Sequence, residues 1–139
     1  MAADFLGSDR SKPTRVRALQ IPGSSSRLSA YASYQGTELS KIAILNLKFW
    51  DGSVSQGPRP NEEVTLELPT GTTKVEIQRL TGPGAFAQGG VTWGGENWTY
   101  GSKGKGVVVS EVKQTLPVRQ GKVTFNVKAT EAVIVSLRR

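Results

Sequence analysis

KVTFNVKATEAVIVSL, residues 122–137, places two kinds of strand side by side. In its first half Val123, Phe125 and Val127 alternate with Lys122, Thr124, Asn126 and Lys128. That period of two marks a strand with one buried and one wetted face. In its second half, Ala132 to Leu137, the run is apolar and rich in β-branched residues. Such a run predicts a central strand covered on both sides. The alternating pattern recurs upstream in Val64, Leu66 and Leu68, and again in Val75 and Ile77. The uniform pattern recurs in Lys41 to Trp50, with Ile42 and Ile44 on one face and Ala43, Leu45, Leu47 and Phe49 on the other. Further strands are expected near Thr14 to Gln20, Leu28 to Tyr34 and Val107 to Val118.

Turn chemistry separates these runs. Gln35-Gly36, Asp51-Gly52, Pro69-Thr70-Gly71 and Gln120-Gly121 punctuate the chain, and Pro58 and Pro60 flank Arg59 in an irregular loop. No window sustains a 3.6-residue apolar period. The expectation is an all-β chain, an antiparallel β-sandwich of about seven to nine strands with a long Gly/Trp-rich loop. Residues 1–13 are read as an extended lead-in and 14–139 as the sandwich domain.

Composition removes several chemistries. The chain contains no histidine and no cysteine. Disulfides, thiolate metal sites, imidazole-zinc sites, Ser-His-Asp triads and Cys-His dyads are therefore impossible within this chain. No metal site and no cofactor is expected. Eighteen basic and eleven acidic residues give a formal charge of +7. Arg10, Lys12, Arg15 and Arg17 cluster near the start, Lys103 and Lys105 lie in the glycine-rich region, and Arg138 and Arg139 close the sequence. The remaining cations alternate with apolar residues, which predicts solvated strand faces rather than a nucleic-acid patch. No stretch is long and apolar enough to span a membrane, and MAADFLGSDRSK lacks the pattern of a secretory signal.

Carboxylate pairs are the remaining route to hydrolysis, because glycosidases use two of them across a cleft. Glu67, Glu76 and Glu111 occupy outward positions, Glu62 and Glu63 are adjacent and read as a turn, and Asp51 precedes a turn glycine, where its side chain caps local backbone. Glu96 is the one acid within RLTGPGAFAQGGVTWGGENW, residues 79–98. No dyad emerges, and no catalytic residue is assigned.

Residues 79–98 are too long for a hairpin turn, and loops of that length usually have a function. Nine of the sixteen glycines fall between Gly82 and Gly106. Phe86, Val91, Trp93, Trp98 and Tyr100 are expected to pin this region by burying apolar area. Phe86, Trp93, Trp98 and Tyr100 are thus candidate domain-docking or sugar-facing aromatics, with docking preferred. Asn97-Trp98-Thr99 matches the N-glycosylation sequon.

Taken together, YASYQGTELSKIAILNL (31–47), VEIQRLTGPGAFAQGGVTWGGENW (75–98) and GKVTFNVKATEAVIVSL (121–137) resemble the C-terminal β-domain of glycoside hydrolase family 79. That family includes β-glucuronidases and heparanase-like enzymes. The middle segment, with Arg-Leu-Thr-x-Pro-Gly leading to Gly-Val-Thr-Trp-x-Gly, carries most of the specificity. The resemblance implies a non-catalytic accessory domain whose partner is a (β/α)₈ barrel holding two catalytic glutamates, acting on a glucuronate-containing glycan in a secreted or extracellular parent enzyme. None of the barrel's motifs is in this sequence. ADFLGS (3–8) is similar to chain continuing out of a barrel, so the sequence is read as a processed fragment, a split subunit or an excised domain. The alternative is a carbohydrate-binding module for acidic sugars, motivated by Lys103 and Lys105 beside Trp98 and Tyr100.

Overall fold

The computed structural model describes residues 1–7, 13–21, 27–110 and 113–139. Arg10, Lys12 and Glu111 lie outside them. The strands in chain order are β1 (Thr14–Leu19), β2 (Leu28–Gln35), β3 (Glu38–Asn46), β4 (Asn61–Glu67), β5 (Lys74–Thr81), β6 (Thr92–Trp93), β7 (Glu96–Asn97), β8 (Val107–Val108), β9 (Gln114–Pro117), β10 (Lys122–Lys128) and β11 (Glu131–Arg138). Eight of these are four residues or longer, and three two-residue strands fall in the glycine-rich region. All pairings are antiparallel.

One large sheet runs β1-β2-β3-β11-β5, and the far edge of β5 is shared by β9 and by the β6-β7-β8 extension. The second sheet contains β4 and β10. β10 alternates as its sequence dictates, with Val123, Phe125 and Val127 buried and the intervening polar residues exposed. These side chains meet Val64, Leu68, Ala30, Ile42, Ile44, Val75, Ile77, Val133 and Val135 in the core between the sheets. β11 sits between β3 and β5, and Glu131 through Ser136 are all buried. The uniformly apolar run therefore occupies the centre of the large sheet.

Four local features differ from expectation. The strand expected over Lys41–Trp50 stops at Asn46. The Asn46 carboxamide accepts from the Lys48 N–H at 3.0 Å and donates to the Val127 carbonyl at 3.1 Å. An Asn side chain bonding backbone two residues ahead competes with the ladder and turns the chain out of it. Leu47 and Phe49 consequently face solvent. Glu62 and Glu63 lie within β4 rather than in a turn. The strand expected over Val107–Val118 is two short strands, β8 and β9. Finally, Ala2–Leu6 in the lead-in form a short helix, α1, rather than extended chain. Asp4 explains it: its carbonyl accepts from Lys41 Nζ, and its carboxylate accepts from Trp93 Nε1 at 2.7 Å. Gly7 ends α1 at φ 82°.

Candidate docking face

Residues directly opposite in an antiparallel pair point to the same side of the sheet. The register therefore defines the outer face, turned away from the core. One row reads Ser29, Leu45, Ala132, Leu80, Trp93, Glu96 and Val108 across six strand boundaries. The next reads Tyr31, Ala43, Ile134 and Gln78. α1 packs against β3 on this side through its contact with Lys41. Burial lowers the Lys41 ammonium below its ordinary value, and the nearby Asp4 charge offsets part of that effect. Ala43 and Ile134 are buried.

Beyond α1 one part of the outer face is apolar and open. Leu45, Leu47, Phe49, Leu80, Ala85 and Ala132 line a groove of about 330 Å³. Leu47 is 60% exposed, Phe49 51% and Phe86 64%. The Phe49 and Phe86 rings meet edge to face with centroids 5.4 Å apart. Large exposed apolar clusters on a folded domain mark interaction surfaces.

Phe86 is held in place by backbone chemistry. Asp51, 5% exposed, accepts from the Phe86 N–H at 2.7 Å and from the Ser53 N–H at 2.9 Å, and also from the Ser53 hydroxyl. The Ser53 hydroxyl first, then the Phe86 and Ser53 amides, hold the Asp51 carboxyl below its ordinary range. The Ala85 N–H donates to the Trp50 carbonyl at 3.0 Å. Gly84 passes so close that an added Cβ would lie 2.4 Å from Asp51 Oδ2 and 2.6 Å from Asp51 Cα. Arg59 fastens the loop's start: it donates to the carbonyls of Gly82 at 2.9 Å and Ala129 at 2.7 Å while its guanidinium lies 5.3 Å from the Trp50 ring centroid.

After this clamp the chain re-enters the sheet. β6 and β7 form a hairpin around Gly94 and Gly95, whose φ angles are 56° and 82°. Two successive positive φ angles fit the tight turn that matches strand twist, and glycine adopts them without strain. The Gly94 N–H reaches the Arg79 carbonyl at 2.9 Å, and the Val109 N–H reaches that of Gly95 at 2.8 Å. Past β7, Thr99–Ser102 form a reciprocal cap: each residue's backbone N–H donates to the other's hydroxyl, at 3.0 and 3.2 Å.

The candidate aromatics thus separate. Trp93 is half-buried and tied to Asp4. Phe86 stands on the open outer face, Trp98 is 46% exposed, and Tyr100 is fully exposed. Phe86, Val91, Trp98 and Tyr100 do not pin the loop by burial in this chain; Asp51, Gly84 and Arg59 hold it instead. Asp51 was legible as a backbone cap, but its reach to Phe86 was not. Arg59 was visible only as a charge between prolines. Asn97 is half-buried in β7.

Glu67, Glu76 and Glu131, all on strands, are engaged in ion pairs. Glu67 pairs with Lys122 at 2.9 Å, and Glu76 with Arg138 at 2.7 Å. Glu131 is buried against Arg79 at 3.0 Å and accepts from the Lys128 N–H at 2.8 Å. Among the described residues no group of three or more acids could hold a metal ion.

Comparison with known proteins gives the fold a context. Residues 30–134 match the family model described as the glycosyl hydrolase family 79 C-terminal beta domain. A β-glucuronidase from Aspergillus niger is 29% identical over 119 residues, 78% of this chain and 20% of the relative. The chain thus spans about a fifth of that relative's length. The crystal structure of a 4-O-α-L-rhamnosyl-β-D-glucuronidase from Fusarium oxysporum 12S, in complex with Rha-GlcA, superposes with a TM-score of 0.72 at 24% identity. That match covers 88% of this chain and 26% of the other, and at that identity it speaks to the fold.

Proposed function

The chain belongs to the glycosyl hydrolase family 79 C-terminal beta domains, and we propose that it is the non-catalytic accessory domain of a β-glucuronidase-type glycoside hydrolase. Residues 14–139 form the domain, with 1–13 leading in. It packs the open part of its outer sheet face against a (β/α)₈ barrel that supplies the acid and nucleophile for a glucuronate-containing glycan. The observation that carries this reading is the groove of Leu45, Leu47, Phe49, Leu80, Ala85 and Ala132, with Phe86 at its rim. Burying such a surface against a second domain stabilises the pair by roughly 25 cal/mol per Å² of apolar area removed from water. A rigid sheet presenting rigid rings loses little side-chain entropy on docking.

The ion pairing of these strand acids supports the non-catalytic half of the proposal. Retaining glycosidases need two carboxyl groups about 5 Å apart in one cleft. Glu131 is buried in an ion pair, while Glu67 and Glu76 pair with cations on outer strand positions. A test is hydrolysis of an aryl β-glucuronide by the 139-residue chain, by the separately produced barrel, and by the mixture. The expected result is no turnover by the chain alone and turnover wherever the barrel is present, with a more heat-resistant barrel in the mixture. Turnover by the pure chain would overturn the proposal.

A further inference from the structure

A second surface lies outside the docking groove, in the connection between β7 and β8. Residues Thr99–Gly106 form a projecting tip whose backbone is fixed independently of the core. The Thr99–Ser102 cap is reinforced by the Ser102 hydroxyl donating to the Thr99 carbonyl at 2.8 Å. The Lys103 N–H bonds the Tyr100 carbonyl at 3.1 Å, and the Lys105 N–H bonds that of Ser102 at 3.0 Å. Lys103 itself takes a left-handed conformation at φ 51°, an arrangement that costs free energy in a non-glycine residue. The Glu96 carboxylate and Trp98 both rest against the base of the tip: a Cβ on Gly106 would lie 2.6 Å from Glu96 Oε2 and 3.2 Å from the Trp98 ring.

What this hydrogen-bonded tip presents is an aromatic ring and a cation. Tyr100 is fully exposed. Tyr100 and Lys103 line one concavity with Gly101 and Gly104, of about 510 Å³. That is room for a monosaccharide unit or more. Among the described residues neither Lys103 nor Lys105 enters an ion pair, whereas Lys113 and Lys122 do. An exposed tyrosine offers a flat apolar face with a polar end. The C–H-bearing face of a pyranose packs on such a ring, and an ammonium one turn away meets an anionic substituent on the same sugar. Glycine at positions 101 and 104 keeps the floor of the concavity free of side chains.

We propose that this tip is a sugar-binding subsite for a carboxylate-bearing pyranose, with Tyr100 stacking on the ring and Lys103 pairing with the carboxylate. The proposal rests on the reading of the chain as part of a glycoside-processing enzyme, but not on docking to a barrel, because the tip is complete within this chain. Exposed ion pairs and single stacked rings each contribute modestly, so binding is weak, about millimolar.

The test is titration of the isotopically labelled 139-residue chain with a glucuronic acid-terminated disaccharide, followed by amide shifts. The matched disaccharide with glucose in place of glucuronic acid is titrated in parallel. The expected result is saturable shifts confined to Thr99–Gly106 and the Trp98 indole, with the neutral sugar binding about threefold or more weaker. Tyr100→Ala lowers affinity about tenfold, and Lys103→Gln removes the preference for the acidic sugar without abolishing binding. No saturable shift at the tip, equal affinity for both sugars, or unchanged affinity in Tyr100→Ala would each overturn the subsite. The tip lies outside the groove, so Phe49→Asp leaves these shifts unchanged. A failed subsite and a failed docking face therefore give separate results.

Discussion

The two faces of the large sheet both carry large apolar residues, which meet different fates. On the inner face Ile42, Ile44, Val133 and Val135 are fully covered by β4 and β10. On the outer face Leu45, Leu47, Phe49 and Phe86 form an apolar surface, and among the described residues α1 and Trp93 lie over another part of that face. Apolar area already removed from water holds the fold, whereas apolar area still in water is available for binding. Substitution on the two faces should therefore be read by different instruments: stability for the inner, association for the outer.

The inner face gives the largest effect on folding. Ile44→Ala leaves a cavity between the sheets, and denaturant unfolding should show a loss of about 2–5 kcal/mol. A loss under 1 kcal/mol would mean that the core is not closed there. Next comes the clamp that aims Phe86. Gly84→Ala drives a methyl into Asp51, including its backbone, so the loop must move. The expected cost is about 1–3 kcal/mol, with faster exchange of the Phe86 amide proton. If that amide stays as protected as before, Asp51 does not set the loop's position.

The clamp also has a pH signature. The folded-state carboxyl of Asp51 is held below the ordinary value of 3.8. Its contribution is complete at pH values above that ordinary value and is lost as pH falls through the lower folded value. Asp51→Asn should therefore shallow the acid side of the stability profile while making the loop less protected at neutral pH. An acid limb identical to that of the unsubstituted chain would remove Asp51 from the account.

The same contrast explains what could be read in the sequence. Alternation in Lys122–Lys128 and the uniform run in Ala132–Leu137 specify their strands because burial period is a local property. The end of β3 was not legible, because the Asn46 carboxamide that takes the Lys48 N–H out of the ladder is itself held by the Val127 carbonyl, distant in sequence. α1 was missed for a similar reason: five residues are too few to form a helix by propensity, and Asp4 gains its partners, Lys41 and Trp93, only in the folded chain. In the candidate site the exposed aromatics were visible by type and spacing, but which were exposed depends on the strand register. The hairpin at Gly94-Gly95 was hidden inside a segment that reads as one long loop.

The docking face is tested most directly by measuring the affinity of the chain for its barrel with Phe49 and Phe86 both changed to aspartate. Both side chains are exposed, so the unfolding midpoint should correspond to a change within about 0.5 kcal/mol for each substitution. The account predicts that affinity for the barrel nevertheless falls about a hundredfold or more, as when central aromatic anchors are removed from an interface. A double variant that binds the barrel as tightly as the original chain would contradict it.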